Sequence, residues 1–270
     1  MVLNLDLSAS RAKVARAKEN YKLLDDEIRT AWKKDGPYDI RFSDVDKETG
    51  WCDVTLVPKP QDPRFGVLAG DVVHELRSAL NYVITALVDA SEVELTTNHI
   101  YPIFIDRAIY ADRVGSNVAA KDGGPLHKVI YGLGLIEQTQ PYHREPDPRA
   151  DPLWLVHRFD NADKHRQIAG LLSIPADRAG LTLHFKGHVV ETQIIPSVEI
   201  NWALDAEVVI HRMRFDPPVA TDFRAEGPIK IIVGFTVPPF GNEPIHSVYR
   251  EGLDAACDYV ETLLEQFATL

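Results

Sequence analysis

The chain has 270 residues, 45% hydrophobic and 26% charged, which suits a folded globular protein and excludes wholesale disorder. A formal net charge of −11 argues against broad electrostatic adhesion to nucleic acid and leaves room only for a local basic pocket. There is no apolar run of about 18 residues and no basic-then-apolar leader, so no membrane span is expected and the location reads as cytoplasmic.

From Ser8 onward Val14, Ala17, Tyr21, Leu24, Ile28 and Ala31 recur at spacings of three and four, which predicts a long amphipathic helix over about 8–34. Its outer face opens with Arg11, Lys13, Arg16 and Lys18 and reads as solvated. Gly36-Pro37 ends it. Tyr38, Ile40 and Phe42, then Cys52, Val54 and Leu56, alternate with polar residues around a turn-rich connector, which predicts a β-hairpin. A second long helix starts near Gly66 or Gly70, with Val72, Val73, Leu76, Leu80, Val83, Ile84 and Leu87 as its apolar positions. His74, Arg77, Ser78 and Asn81 follow i, i+3, i+4, i+7 and share a polar face.

Residues 100–104 read as extended, 106–120 and 126–138 as helices, and the proline-rich 141–152 as a loop. That loop feeds the most unusual stretch, Trp154 to Arg166, where charged residues crowd between apolar ones. Read as a helix, it places His157, Asp160, Asn161, Lys164 and His165 on one face, with Leu155, Phe159 and Ala162 opposite. Beyond Ser173 the period becomes alternating. Strands are expected at 181–185, 189–195, 208–213 and 229–237, with Lys186-Gly187-His188 as a turn, in a mainly antiparallel sheet. A final helix follows from Ser247 to Leu270. The order predicts one α+β domain over 1–270: a helical part at about 62–173, a β-rich part at about 174–240, and terminal helices at about 8–34 and 247–268.

Arg158 and His165 stand seven residues apart, about 10 Å along a helix, so both can address one phosphodiester. His165 can take the proton of a ribose 2′-hydroxyl as general base, while Arg158 holds the non-bridging oxygens as charge grows. Lys164 and His157 add positive potential, and Asp160 can orient an imidazole. The arrangement of arginine, six residues and histidine is similar to the signature of the HEPN superfamily of prokaryotic toxin and defence proteins. Phe159 stands where that family commonly has a small polar residue. The resemblance covers the helical part and implies a helical bundle, metal-independent ribonuclease activity, RNA or a nucleotide as partner, and action as a homodimer. The remaining β-rich sequence would be an addition to that bundle.

Gly70 to Asn81, Gln140-Pro141-Tyr142 and Asp160 to Arg166 together resemble a family of bacterial and phage proteins, a likeness that implies no activity. On the ribonuclease reading His74, Arg77 and Asn81 are substrate contacts or support the catalytic groups. A reading of a different class has the two polar faces pair as a hydrogen-bonded network that fixes helix register in a structural or interaction protein. His157, Asp160 and His165, or His74 with Asp71, offer metal-ligand atoms, but HExxH and HxH are absent and Lys164 would repel a cation. No metal and no cofactor is therefore expected. Cys52 and Cys257 read as packed, reduced thiols.

Overall fold

A computed structural model describes residues 5–115, 126–129, 131–164, 170–177, 181–195, 207–226, 230–237 and 246–270. For His127, Asp163, Lys164, 170–177, 230–237 and 246–251 it describes the backbone alone. The fold is α+β, and the chain divides into a helical unit (1–26, 64–169 and 235–270) and a β-rich unit (27–63 and 170–234). Among the described residues no helix is long and apolar enough to cross a membrane.

The helical unit takes residues 8–26 from α1 (Ser8–Lys34) and all of α2 (Arg64–Ala90), α3 (Arg107–Gly115), α4 (Leu133–Gln138), α5 (Pro152–Lys164) and α6 (Arg250–Phe267). The three-and-four spacing of apolar residues becomes a continuous core. Val14 and Ala17 of α1, Val72, Leu76, Leu80 and Ile84 of α2, Val156 of α5 and Val260 and Leu263 of α6 are all buried in it. Each large aliphatic side chain withdrawn this way contributes about 1.5–3 kcal/mol before chain entropy is counted. α2 packs on α5 and α6, and α5 packs on α6.

The basic face of α1 is engaged within the chain. Lys18 Nζ lies 2.8 Å from both Asp258 and Glu261 of α6, Arg11 3.3 Å from Glu265, and Lys13 2.7 Å from Glu75 of α2. The pairs to α6 are largely exposed, so each adds at most about 1 kcal/mol, while Lys13–Glu75 is the more sheltered one.

Two helix boundaries differ from the periodicity. Residues 126–138 are not one helix: a 3-10 turn at Leu126–Lys128 precedes α4, and Gly132 between them stands at φ 77°. A Cβ there would press on the Leu87 methyls at 2.9 Å, and the left-handed backbone itself favours glycine. At the other boundary, α6 begins at Arg250 because His246–Tyr249 form a strand.

In the β-rich unit β1 (Tyr38–Phe42) and β2 (Trp51–Pro58) form the expected antiparallel hairpin. The hairpin is not a separate element, because β2 also pairs with β6 (Val208–Phe215), which pairs with β5 (Val189–Ile194). One antiparallel sheet results, in the order β1-β2-β6-β5. Its register slips between Val54 and Thr55, where β6 has one residue more than β2. The bulge shifts the alternation of β6 by one, so Val208 and Ile210 before it and Met213 and Phe215 after it all point into one core.

β4 (Thr182–Lys186) pairs with β7 (Thr221–Glu226), so Lys186-Gly187-His188 links two sheets instead of closing a hairpin. Phenylalanines join these layers: Phe185 and Phe215 meet at 5.3 Å, Phe215 and Phe223 at 5.9 Å, and Phe42 stacks on Phe223 at 5.1 Å. β3 (Gly170–Asp177) and β8 (Lys230–Val237) are neighbours in a further sheet.

Candidate functional site

The unusual stretch is helical as far as Lys164, and its helix begins two residues before Trp154. Asp151 fixes that start: its carboxylate accepts a hydrogen bond from Leu153 N at 2.8 Å, and its carbonyl accepts one from Leu155 N at 3.1 Å. Pro152 then occupies the first helical position, where a missing N–H loses nothing. Burial pushes the Asp151 carboxyl above its ordinary value, against the opposing pull of the Leu153 amide and Arg144.

α5 does not divide into a polar and an apolar face, because it is covered on more than one side. Leu153, Val156, Phe159 and Ala162 are buried, but so are Arg158 at 6% and Asp160 at 1% exposure. Leu155, expected on the apolar side, is only half-buried. A helix wedged between two others hides nearly all of its circumference, and the charged residues go in with the apolar ones.

Across from α5, α2 presents Arg77 at 7% exposure and a largely exposed His74. His74 Nδ1 lies 3.3 Å from Asp160 Oδ1, joining a side chain that is 52% exposed to one that is 2% exposed. This is the contact that ties the two polar stretches together. Arg77, Arg158 and Asp160 all have partners, as three buried charges require. Within α5 the Asn161 side-chain amide lies 3.1 Å from His157 Nε2, one turn apart, and the His157 ring stacks on Trp154 at 5.2 Å.

The other residues singled out by the sequence go elsewhere. Asn81 is turned to the backbone, its Oδ1 accepting from Tyr101 N at 3.0 Å. Gln140 does the same from the far side: Oε1 accepts from Phe104 N at 3.0 Å, and Nε2 donates to the carbonyls of Pro102 and Ile136 at 2.9 Å. Together they strap the extended segment 100–104 in place, with Tyr101 and Thr139 hydroxyls meeting at 2.6 Å. Ser78 is half-buried and Asp71 exposed. His165 and Arg166 lie outside the described residues, and Lys164 is described only as the last residue of α5.

Among the described residues no three of His, Cys, Asp and Glu stand together as metal ligands. The arrangement instead holds an accessible imidazole on a buried carboxylate, on two helices that each also bury an arginine. An accessible imidazole on a buried carboxylate suits proton transfer at the imidazole edge. The accessibility of His74 and the seclusion of Arg158 had no signal in the sequence, since periodicity gives the direction of a side chain and not its depth. No family model, no curated protein and no solved structure matches the chain.

Proposed function

We propose that the α2–α5 cluster is the site of a metal-independent ribonuclease, or of a related RNA- or nucleotide-binding protein, built on a HEPN-like helical bundle. The observation that carries this reading is the His74–Asp160 pair. With Nδ1–H donated to Asp160, the ring offers Nε2 as a base, and the carboxylate stabilises the imidazolium that forms. The 2′-oxygen, deprotonated at Nε2, attacks phosphorus; the bond to the 5′-oxygen breaks, and that oxygen takes a proton from a general acid. His165, one residue beyond α5, is the candidate acid, and Lys164 and His157 the candidate phosphate contacts. Arg158, assigned to the phosphate by the sequence motif, is buried, so its role on this reading is to favour the growing negative charge through its potential. The packing of α2, α5 and α6 supports the bundle, and the HEPN resemblance brings with it action as a homodimer.

One observation favours a second reading. Arg77, Arg158 and Asp160 are buried on facing helices, which also suits a charge network that fixes helix register without any substrate.

Incubation of the protein with mixed RNA, with and without chelator, separates the two. We expect chelator-resistant cleavage that leaves 2′,3′-cyclic phosphate ends. His74→Gln should slow it by roughly 100-fold or more while leaving the melting temperature near that of the unsubstituted chain. RNA left intact by the unsubstituted protein overturns the nuclease reading, and absence of salt-dependent RNA binding overturns the binding one.

A further inference from the structure

A cavity of about 550 Å³ opens beside α3 and α4 and shares no residue with the α2–α5 cluster. Its walls are Val114, Leu133 and the rings of Tyr110 and Tyr142, and two charged side chains, Arg107 and Glu137, complete it. The volume lies within the range of about 300–1,000 Å³ typical of small-molecule sites.

The polar groups are held in place. Tyr142 Oη donates to Glu137 Oε1 at 2.9 Å, His143 Nε2 lies 3.1 Å from the same oxygen, and the Tyr110 and Tyr142 rings meet edge to face at 5.7 Å. The Tyr142 hydrogen bond leads in holding the Glu137 carboxyl below its ordinary 4.5, so it is ionised at neutral pH. Both of those contacts fall on Oε1, which leaves Oε2 for a ligand. Arg107, exposed at the first turn of α3, forms no ion pair with Glu137 or with any other described residue.

One anion and one cation face a largely apolar space. A simple ion would gain from one and lose to the other, whereas a ligand carrying both charges gains from both. We infer that this cavity binds a free aromatic α-amino acid, its ammonium on Glu137 Oε2, its carboxylate on the Arg107 fork, and its ring against Tyr110, Tyr142, Val114 and Leu133. Bidentate arginine–carboxylate geometry and a charge-assisted bond to the carboxylate of Glu137 supply orientation, and the edge-to-face tyrosines supply the surface for a flat ring.

Gly134 provides a steric control. It lines the cavity, and a Cβ built on it meets nothing within 4 Å, so a leucine there starts into open space and should occupy the cavity. Isothermal titration of the full chain with L-phenylalanine, phenethylamine and 3-phenylpropanoate tests the proposal. We expect saturable binding of L-phenylalanine and at least tenfold weaker binding of the two analogues that lack one charge. Arg107→Met should erase the preference over phenethylamine, Glu137→Gln the preference over 3-phenylpropanoate, and Gly134→Leu all binding with no loss of thermal stability. No saturable binding of L-phenylalanine, equal binding of the three compounds, or binding unaffected by Gly134→Leu would each overturn it.

Discussion

Gly50 shows how much a single backbone position can decide. It closes the turn into β2 at φ 76°, and a Cβ on it would run into the carbonyl oxygen of Phe215. The close approach exists because Phe215 N donates to Gly50 O at 2.9 Å, bringing the end of β6 onto the start of β2. The turn before it is already saturated: Asp46 Oδ1 accepts from Glu48 N at 3.0 Å and from Thr49 N at 2.7 Å. Gly50→Ala must therefore strain its own φ or break the Phe215 bond, and we expect it to lower the unfolding free energy in urea by roughly 1–3 kcal/mol. Gly36→Ala is the matched control. Its Cβ meets nothing within 4 Å, and its effect should stay within about 0.5 kcal/mol. Equal effects of the two substitutions would show that the close approach at Gly50 is not what limits the turn.

At the scale of elements, the sequence was most readable where one periodicity ran long with few competing signals. Val72, Leu76, Val83 and Leu87 mark α2, and Cys52, Val54 and Leu56 against polar neighbours mark the hairpin. β7 carries little local signal, because Thr221–Glu226 alternates around only Phe223 and Ala225 and takes its partners from β4, far away in sequence. The polar cluster was legible in composition and spacing, but its depth was set by α5 packing between α2 and α6, which no local pattern encodes. Asp151 is the element-scale device that makes α5 testable. Asp151→Ala removes the cap and should cost about 1 kcal/mol. Asp151→Asn keeps the cap and removes a charge whose pKa burial raises above its ordinary 3.8. For an acid raised in this way the burial penalty is present above the folded pKa. It is relieved as pH falls through that value, because the native state takes up the proton before the unfolded one. The Asn variant should therefore be more stable than the parent at neutral pH, with the difference shrinking as pH approaches 4. Thermal melts across that range check it, and a difference that grows with acidity would show that Arg144 and the helix amides outweigh burial.

For the whole molecule, the path of the chain matters more than the number of its elements. It passes between the helical and β-rich units at 26/27, 63/64, 169/170 and 234/235, so neither unit is a contiguous piece of sequence. The helical core is closed by the two ends of the chain: Leu7, Val14 and Ala17 come from the first, and Ala256, Val260, Leu263, Leu264 and Phe267 from the last. Phe267 also meets Tyr101 edge-on at 6.4 Å, so α6 supports the segment strapped by Asn81 and Gln140. The buried Val260, Leu263, Leu264 and Phe267 side chains of one helix, at about 1.5–3 kcal/mol each, amount to as much as the net stability of a typical domain. A chain ending at Tyr249 should therefore lose the cooperative melt of the helical unit and the near-ultraviolet signal of Tyr101 and Trp154, although its α2 sequence is untouched. The same chain supplemented in trans with a peptide of residues 250–270 should recover part of both signals, because the deleted helix contributes packing and no covalent continuity. Retention of a sharp transition without α6 would show instead that α2 and α5 with α1 suffice to close the core. In that case the acidic face of α6 that meets Lys18 and Arg11 only reinforces a core already formed without it.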